Sequence, residues 1–136
     1  MGKTEKIIKC GSAIAGGLVG YLLGGWDMCL STLITFMCLD FLLGLLCGFA
    51  TKKLSSQTAF KGIKRKVGMC AIVAVACRID VAIGAGGVLR TSVLFFYIAK
   101  EGLSILENAA SLGAPVPKII SDTLIQLEKG QKKEVR

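Results

Sequence analysis

The chain has 136 residues, 53% of them hydrophobic, and carries a formal net charge of +8. It contains no histidine, the side chain that most often serves as a general base or a metal ligand near neutral pH. The composition therefore argues against an enzyme, a metal site or a bound cofactor. The apolar residues form long blocks, and four helices of about 20 residues, the length that crosses a bilayer, would leave no room for a separate soluble domain.

The six cysteines all lie within the apolar blocks, and none forms a C-x-x-C pair. This placement indicates small side chains that lipid tolerates rather than a zinc site or a disulfide framework. The basic residues lie between the apolar blocks. That distribution favours attraction to the anionic headgroups of a lipid bilayer, and we expect no nucleic acid partner.

Residues 1–9 form a basic leader, and the first apolar block covers residues 10–26. We interpret this block as a retained span rather than a cleaved signal, because no A-x-A-like site follows and the next block begins almost at once. Gly16, Gly20 and Gly24 share one helix face at i, i+4 and i+8, and small residues let helices approach closely in lipid. The sequence leaves open whether this face packs within the chain or between copies.

The second apolar block, residues 28–50, contains a single charge, Asp40, near its middle. A charge at that depth costs about 2.5–3.5 kcal/mol on insertion scales. Gly44 and Gly48 follow Asp40 at i+4 and i+8. We therefore expect this face of the helix to point at protein or water, with the glycines at a packing interface.

Residues 51–66 contain no acid and six basic residues, and the positive-inside rule predicts a cytoplasmic loop in contact with lipid headgroups. Part of the loop is amphipathic enough to lie on the headgroups as a short helix. The basic residues are Lys52, Lys53, Lys61, Lys64, Arg65 and Lys66.

A third block at residues 67–89 and a weaker fourth block at 91–112 complete the predicted transmembrane domain, residues 10–114. These two blocks contain six polar residues of interest: Arg78, Asp80, Lys100, Glu101, Ser104 and Glu107. Such residues pair internally, for example Asp40 with Arg78, or face the water-filled lumen of an oligomer. Lys100, Ser104 and Glu107 share a face at i, i+4 and i+7, so this stripe is predicted to contact water or another subunit.

Two prolines end the fourth helix, and the tail, residues 115–136, contains a predicted amphipathic helix at 118–129. The predicted fold is an all-α, multi-pass membrane protein with four spans and both termini in the cytoplasm. Of the 17 basic residues, only Arg90 would then face outward, and only Arg78 and Lys100 would lie within spans. A three-span topology is the second choice, because it would place several lysines outside.

Three stretches carry a resemblance to a known family. They are Asp40-Phe-Leu-Leu-Gly44, then Ser55-Ser56 with Gly62 and Arg65-Lys66, and finally Glu101-Gly-Leu-Ser104-Ile105-Leu-Glu107-Asn108 followed by Gly113-Ala-Pro115-Val-Pro117-Lys118. In this order the chain resembles the phage lysis and clostridial toxin-secretion holins over roughly residues 35–128. Each stretch is unspecific alone, and the ordered set is what carries the resemblance.

The resemblance implies a protein of the bacterial cytoplasmic membrane that assembles into homo-oligomers and opens lesions. A cell-wall hydrolase or a large toxin would leave through them as cargo, without a stable complex. Two alternatives stay open. One is a small proton-coupled multidrug or ion transporter with Asp40 or Glu101 as its proton site. The other is a membrane anchor or enzyme subunit whose soluble partner docks on the basic loop.

Overall fold

The computed structural model describes residues 2–135, which form five α-helices and no strand. In chain order these are α1 (Lys3–Leu22), α2 (Met28–Ala50), α3 (Ser56–Ile83), α4 (Val88–Ser111) and α5 (Lys118–Val135). Helices α2, α3 and α4 pack as a bundle and α5 packs on α4, whereas Gly20 is the single buried residue of α1. The predicted all-helical class is confirmed.

Side chains at the helix starts explain where α2 and α3 begin. Asp27 precedes α2 and its Oδ1 atom accepts the backbone N–H of Leu30 at 2.9 Å. Ser55 precedes α3 and its hydroxyl accepts the backbone N–H of Thr58 at 3.1 Å. Both are N-caps, which satisfy backbone donors that the first helical turn leaves free.

The helix boundaries differ from the predicted segments: α1 ends at Leu22 rather than 26, and α3 ends at Ile83 rather than 89. The largest differences are at the starts of α3 and α1. The basic segment predicted as a loop, 51–66, is helical from Ser56 onward and continues into α3 without a break. Lysine and arginine are good helix formers, and the Ser55 cap starts the helix eleven residues before Val67. The predicted leader, 1–9, is likewise helical from Lys3.

The core of the bundle is a stack of apolar side chains between α2, α3 and α4. Leu30, Leu33, Val73 and Leu94 are its largest fully buried members. The outer sides of α1, α2 and α3 expose many large apolar residues instead, among them Ile14, Leu42 and Val75. By length and composition, α2 is the one helix in the described part of the chain that could cross a membrane.

Candidate functional site: two charged layers in the helical bundle

Lys66 is the centre of a buried ion network deep in the bundle. Its Nζ atom lies 2.8 Å from Oδ2 of Asp40 in α2 and 2.5 Å from Oε2 of Glu101 in α4. The Lys66 side chain is 12% exposed, and the two acidic side chains are 6% and 3% exposed. A single ammonium group of α3 therefore ties three helices together.

Arg65 and Asn108 complete this Lys66 network, which consists of Asp40, Arg65, Lys66, Glu101 and Asn108. The more exposed Arg65 guanidinium lies 3.5 Å from the carboxylate of Asp40 and 3.9 Å from that of Glu101. Asn108 donates from Nδ2 to Oδ1 of Asp40 at 3.1 Å. Two acids face two bases, so the network carries no net charge, as burial of charged groups in a low-dielectric surrounding requires.

A second charged layer, the Arg90 cluster, consists of Asp27, Asp80 and Arg90 and lies at the end of the bundle where α1 turns into α2. Arg90 donates from Nε to the carbonyl oxygen of Leu23 at 2.6 Å and from Nη2 to that of Gly25 at 3.0 Å. Its Nη1 lies 2.7 Å from Oδ2 of Asp27. One buried guanidinium thus satisfies two turn carbonyls and one carboxylate.

Asp80 contributes to the Arg90 cluster through the backbone rather than through the guanidinium. Its Oδ1 accepts the N–H of Leu89 at 3.0 Å, and its Oδ2 accepts the N–H of Arg90 at 2.7 Å. Both N–H groups belong to the first turn of α4, which has no internal partner for them. Gly84 and Gly87, at positive φ angles of 65° and 89°, allow the chain to reverse between α3 and α4.

Asp27 stands in the turn between α1 and α2 and carries out two tasks there. It caps α2 and it accepts the hydrogen bond from Arg90. The bond from the Arg90 guanidinium lowers the pKa of Asp27 below its ordinary value, because hydrogen bonds to the charged form favour that form. The pair therefore remains ionic at neutral pH.

The two charged layers enclose the apolar core from both ends. Lys66 and Asp80 are 14 residues apart on α3, about 21 Å at 1.5 Å per residue. Arg90 and Glu101 are 11 residues apart on α4, about 17 Å. The apolar slab between the layers is therefore thinner than the roughly 30 Å hydrocarbon core of a bilayer.

The glycines of the first block are not arranged as predicted. Gly24 lies beyond the end of α1 at a φ of 87°, and a side chain there would collide with Arg90. Gly20 lies under the ring of Trp26, whose Nε1 donates to the carbonyl oxygen of Gly16 at 2.9 Å. In the described chain this face is thus occupied by the tryptophan that follows it, and contact between copies stays a prediction.

Gly44 and Gly48 line a groove of about 210 Å³ between α2 and α3, together with Arg65 and Lys66. A Cβ atom at Gly44 would lie 3.8 Å from Asn108 Nδ2, and one at Gly48 would lie 3.3 Å from Leu54. The absence of side chains at these glycines leaves the groove open beside the Lys66 network.

Arg78 does not pair with Asp40, so that expected pair is wrong. The guanidinium of Arg78 stacks on the ring of Tyr21 at 4.7 Å instead. Arg78 lies 12 residues after Lys66 on α3, about 18 Å along the helix, and is therefore far from the level of Asp40.

Lys100, Ser104 and Glu107, which share one face of α4, line one groove of about 710 Å³. Lys100 lies 3.8 Å from Glu128 of α5, and Glu107 is exposed. Whether this groove meets water or another subunit stays a prediction.

The six basic residues of segment 51–66 have different roles. Lys52 and Lys53 lie after the end of α2, and Lys61 and Lys64 are exposed on α3. Arg65 and Lys66 instead reach into the bundle. A signal for this was present in the sequence. Lys66 is the first residue of a helical repeat with the spacing i, i+3, i+7, i+10 and i+14. The other members are the buried residues of α3, namely Met69, Val73, Ala76 and Asp80.

Comparison with known proteins identifies the family. A sequence profile of the bacteriophage holin family matches residues 17–129. The chain belongs to this family. A probable holin of Bacillus phage phi105 is 36% identical over 107 residues, covering 77% of this chain and 79% of the phage protein. An uncharacterized 14.9 kDa Clostridium perfringens protein is 39% identical over 121 residues, covering 88% and 92% of the two chains.

Bacillus subtilis also has a relative, the uncharacterized protein YqxH, which is 40% identical over 115 residues, with 83% of this chain and 81% of YqxH covered. No solved structure matches the chain. As a member of the holin family, the chain is a protein of the cytoplasmic membrane. The stretches that resemble holins meet in space, because Asp40, Lys66 and Glu101 come from three different stretches and form one network.

Proposed function

We propose that this holin accumulates in the bacterial cytoplasmic membrane, oligomerises and opens lesions that release a cell-wall hydrolase. The observation that carries the proposal is the Lys66 network, in which three helices each bring charge into a buried layer. Such a layer is stable in a closed, neutral bundle. It also supplies polar groups that can face water if the helices separate.

The proposed topology has four membrane spans, α1 to α4, with both termini in the cytoplasm. Helix α2 meets the length and composition of a span alone. The others carry charges within them, and pairing lowers the cost of placing these charges in hydrocarbon. The Lys66 network would neutralise α3 and α4 at one level, and the Arg90 cluster at the other.

Opening of the bundle would proceed by exchange of partners. The network is neutral as a set, but each helix taken alone carries a charge at that level: Asp40 on α2, Lys66 on α3 and Glu101 on α4. Separated helices therefore need water or another subunit on these faces, because a lone charge in hydrocarbon is costly. Lateral association of copies would provide both, with a wet lumen on the polar side.

The cargo would pass through without a stable complex, since a lesion selects by size rather than by binding. A cell-wall hydrolase is the proposed cargo. A large toxin is the alternative cargo that the resemblance to toxin-secretion holins implies. The other proposed partners are the anionic headgroups, which the exposed Lys61 and Lys64 can contact, and further copies of the chain. We propose no catalytic activity.

Induced expression in a bacterial host tests this function. The measurements are entry of an impermeant dye and release of a co-expressed cytoplasmic hydrolase. We expect abrupt dye entry together with release. Lys66→Met leaves the two buried acids with the more exposed Arg65 as their remaining base and is expected to advance the onset. Lys64→Met, a change at an exposed neighbour, is expected to leave the onset unchanged.

Three outcomes would contradict the proposal. Dye exclusion at confirmed membrane expression would exclude lesion formation. Proton-coupled flux that Asp40→Asn abolishes, without general leakage, would support the transporter alternative instead. A stable one-to-one complex with a soluble enzyme would support the anchor alternative.

A further inference from the structure

Helix α5 lies across the outer side of α4. Leu124 of α5 packs against Gly102 of α4. A Cβ atom on Gly102 would lie only 2.8 Å from the Leu124 side chain. Farther along, Glu128 lies 3.8 Å from Lys100. The last described turns of α5 line a groove of about 430 Å³ with Ile72 of α3 and Phe96 of α4, to which Gln131 and Lys132 contribute. The helix therefore runs back along α4, antiparallel to it.

This position places charge beside the part of α4 proposed to cross the membrane. Phe96 follows the first residue of α4, Val88, by eight positions, about 12 Å along the helix. Lys132 shares a groove with Phe96, so it lies well inside the roughly 30 Å hydrocarbon core if α4 spans it. Lys129 and Lys133 are exposed on the same helix. Docked α5 and lipid cannot occupy this side of α4 together.

The surface of the whole chain divides in the same way. Between Arg90 and Ser111, α4 exposes only Thr91, Lys100, Glu107 and the small residues Ala110 and Ser111. From Asp122 to Lys133, the exposed residues of α5 are polar or glycine. The outer sides of α1, α2 and α3 are rich in exposed large apolar residues. Large apolar residues are exposed on α4 and α5 only near their first turns, at Val88, Leu89, Ile119 and Ile120. The outer sides of α1 to α3 therefore suit lipid, and the remaining surface of α4 and α5 suits water.

Gln131 gives a further indication of water on this side. Its Oε1 atom is buried in the groove between α5, α4 and α3 and has no hydrogen-bond partner among the described residues. A buried carbonyl oxygen needs a donor, and in a groove of this size water can be that donor.

We propose that α5 packs on α4 when this side of α4 faces water, and that α5 forms the water-facing wall of the lumen in the open assembly. The inference rests on the proposed function and assigns a role to the C-terminal helix within it. Before opening, while this side of α4 faces lipid, α5 lies away from α4 at the cytoplasmic surface; the contacts of the Lys66 network lie within α2, α3 and α4 and do not depend on α5. When the assembly opens, α5 replaces lipid on this side of α4.

A disulfide between α4 and α5 tests this inference. The variant carries Gly102→Cys and Leu124→Cys in a full-length chain whose six native cysteines are alanine. The matched control combines Leu124→Cys with Gly68→Cys, because Gly68 lies on α3 with open space around it. Cells are oxidised at intervals before and after dye entry, and the cross-link yield is measured on gels.

Before dye enters, we expect the cross-link yield of the Gly102–Leu124 pair to equal that of the control pair. When dye enters, we expect most of the protein to become cross-linked. The oxidised protein, purified and reconstituted into vesicles, is expected to release dye as fast as the reduced protein. A full cross-link in cells that still exclude dye would overturn the inference, and so would loss of dye release on oxidation. A cysteine-free parent that never admits dye would contradict the proposed function itself.

A second pair serves if the first variant does not accumulate. Lys100→Cys with Glu128→Cys changes side chains at the edge of the α4–α5 contact and carries two spin labels. A short label-to-label distance is expected in leaky vesicles, and a longer one in intact vesicles. Equal distances in the two preparations would contradict movement of α5.

Discussion

The carboxylate of Asp80 accepts the backbone N–H of Arg90 at 2.7 Å, so a side chain near the end of α3 caps the start of α4. The same carboxylate also accepts the N–H of Leu89. Without it, both N–H groups would be left without a partner inside the helix. The cap therefore connects the fourth helix to the third independently of the Lys66 network.

Asp80→Ala is expected to destabilise the purified protein by about 0.5–2 kcal/mol, the usual cost of losing a helix cap. Hydrogen exchange at the amides of Leu89 and Arg90 should become faster in the variant. Asp122→Ala, at an exposed position on α5, is the control and should leave these amides unchanged. Unchanged exchange in Asp80→Ala would show that the cap contributes nothing.

Lys66→Met should destabilise the bundle by about 3–5 kcal/mol, because it leaves Asp40 and Glu101 facing each other while buried. The double variant Asp40→Leu with Lys66→Met should lose less stability than the single variant, since Arg65 still balances the charge of Glu101. Chemical unfolding in a mild detergent measures both. Equal losses in the single and double variants would argue against coupling between Asp40 and Lys66.

Gly102→Leu should weaken the packing of α5 and α2 on α4. A side chain at this position meets Leu124 and, at 3.2 Å, Phe36, and overpacking of this kind costs about 1–3 kcal/mol. Gly68→Leu introduces the same residue in an open part of α3 and should not be destabilising. A lower unfolding temperature in Gly102→Leu alone is the expected outcome, and similar values in both variants would contradict the contact.

The bond between Asp27 and Arg90 predicts a pH dependence. The pKa of Asp27 is lowered in the folded protein, so its contribution to stability is fully present above the ordinary pKa of 3.8 and is lost as the pH falls through the lower, folded value. Asp27→Asn keeps a capping side chain but not the charge. The difference in unfolding temperature between wild type and Asp27→Asn should be constant near neutral pH and shrink in strong acid.

The Asp27 effect should be small, below about 1 kcal/mol, since the carboxylate is half exposed and solvent screens the pair. Arg78→Gln is a useful comparison, because Arg78 stacks on Tyr21 and faces no acid in the described structure. Its unfolding temperature should follow that of wild type at every pH. A widening difference between wild type and Asp27→Asn at low pH would contradict the assignment.

The helical class and the number of helices were predictable because long apolar blocks admit few other structures. The start of α3 was not predictable, because the positive-inside rule identifies a basic cytoplasmic segment whether or not that segment is helical. Charge counting carries no information on conformation. The Ser55 side chain, which caps the first turn of α3 in the structure, is the local feature that could have marked this start.

The partners of the charges were not predicted, although the helical repeat of the buried residues of α3 includes Lys66 and excludes Lys64. Lys64 and Lys66 are the same residue type, and they differ in their positions around α3. The rotation of α3 about its axis turns Lys64 outward and Lys66 toward Asp40. Asp40 could be predicted to need a partner from its depth alone. The burial of Arg90 was not predictable, because it depends on the α1–α2 turn, which folds over Arg90 and supplies the carbonyls of Leu23 and Gly25.

The separation of these partners along the chain also affects biosynthesis. Asp40 and Lys66 are 26 residues apart, whereas Glu101 follows Lys66 by 35 residues. During translation, Asp40 of α2 can therefore pair with Lys66 of α3 before α4 emerges. Helix α4 then adds the acid that Arg65 balances. The charges of the Lys66 network are balanced only when α4 has joined, so the closed bundle is complete only after the fourth helix has been made.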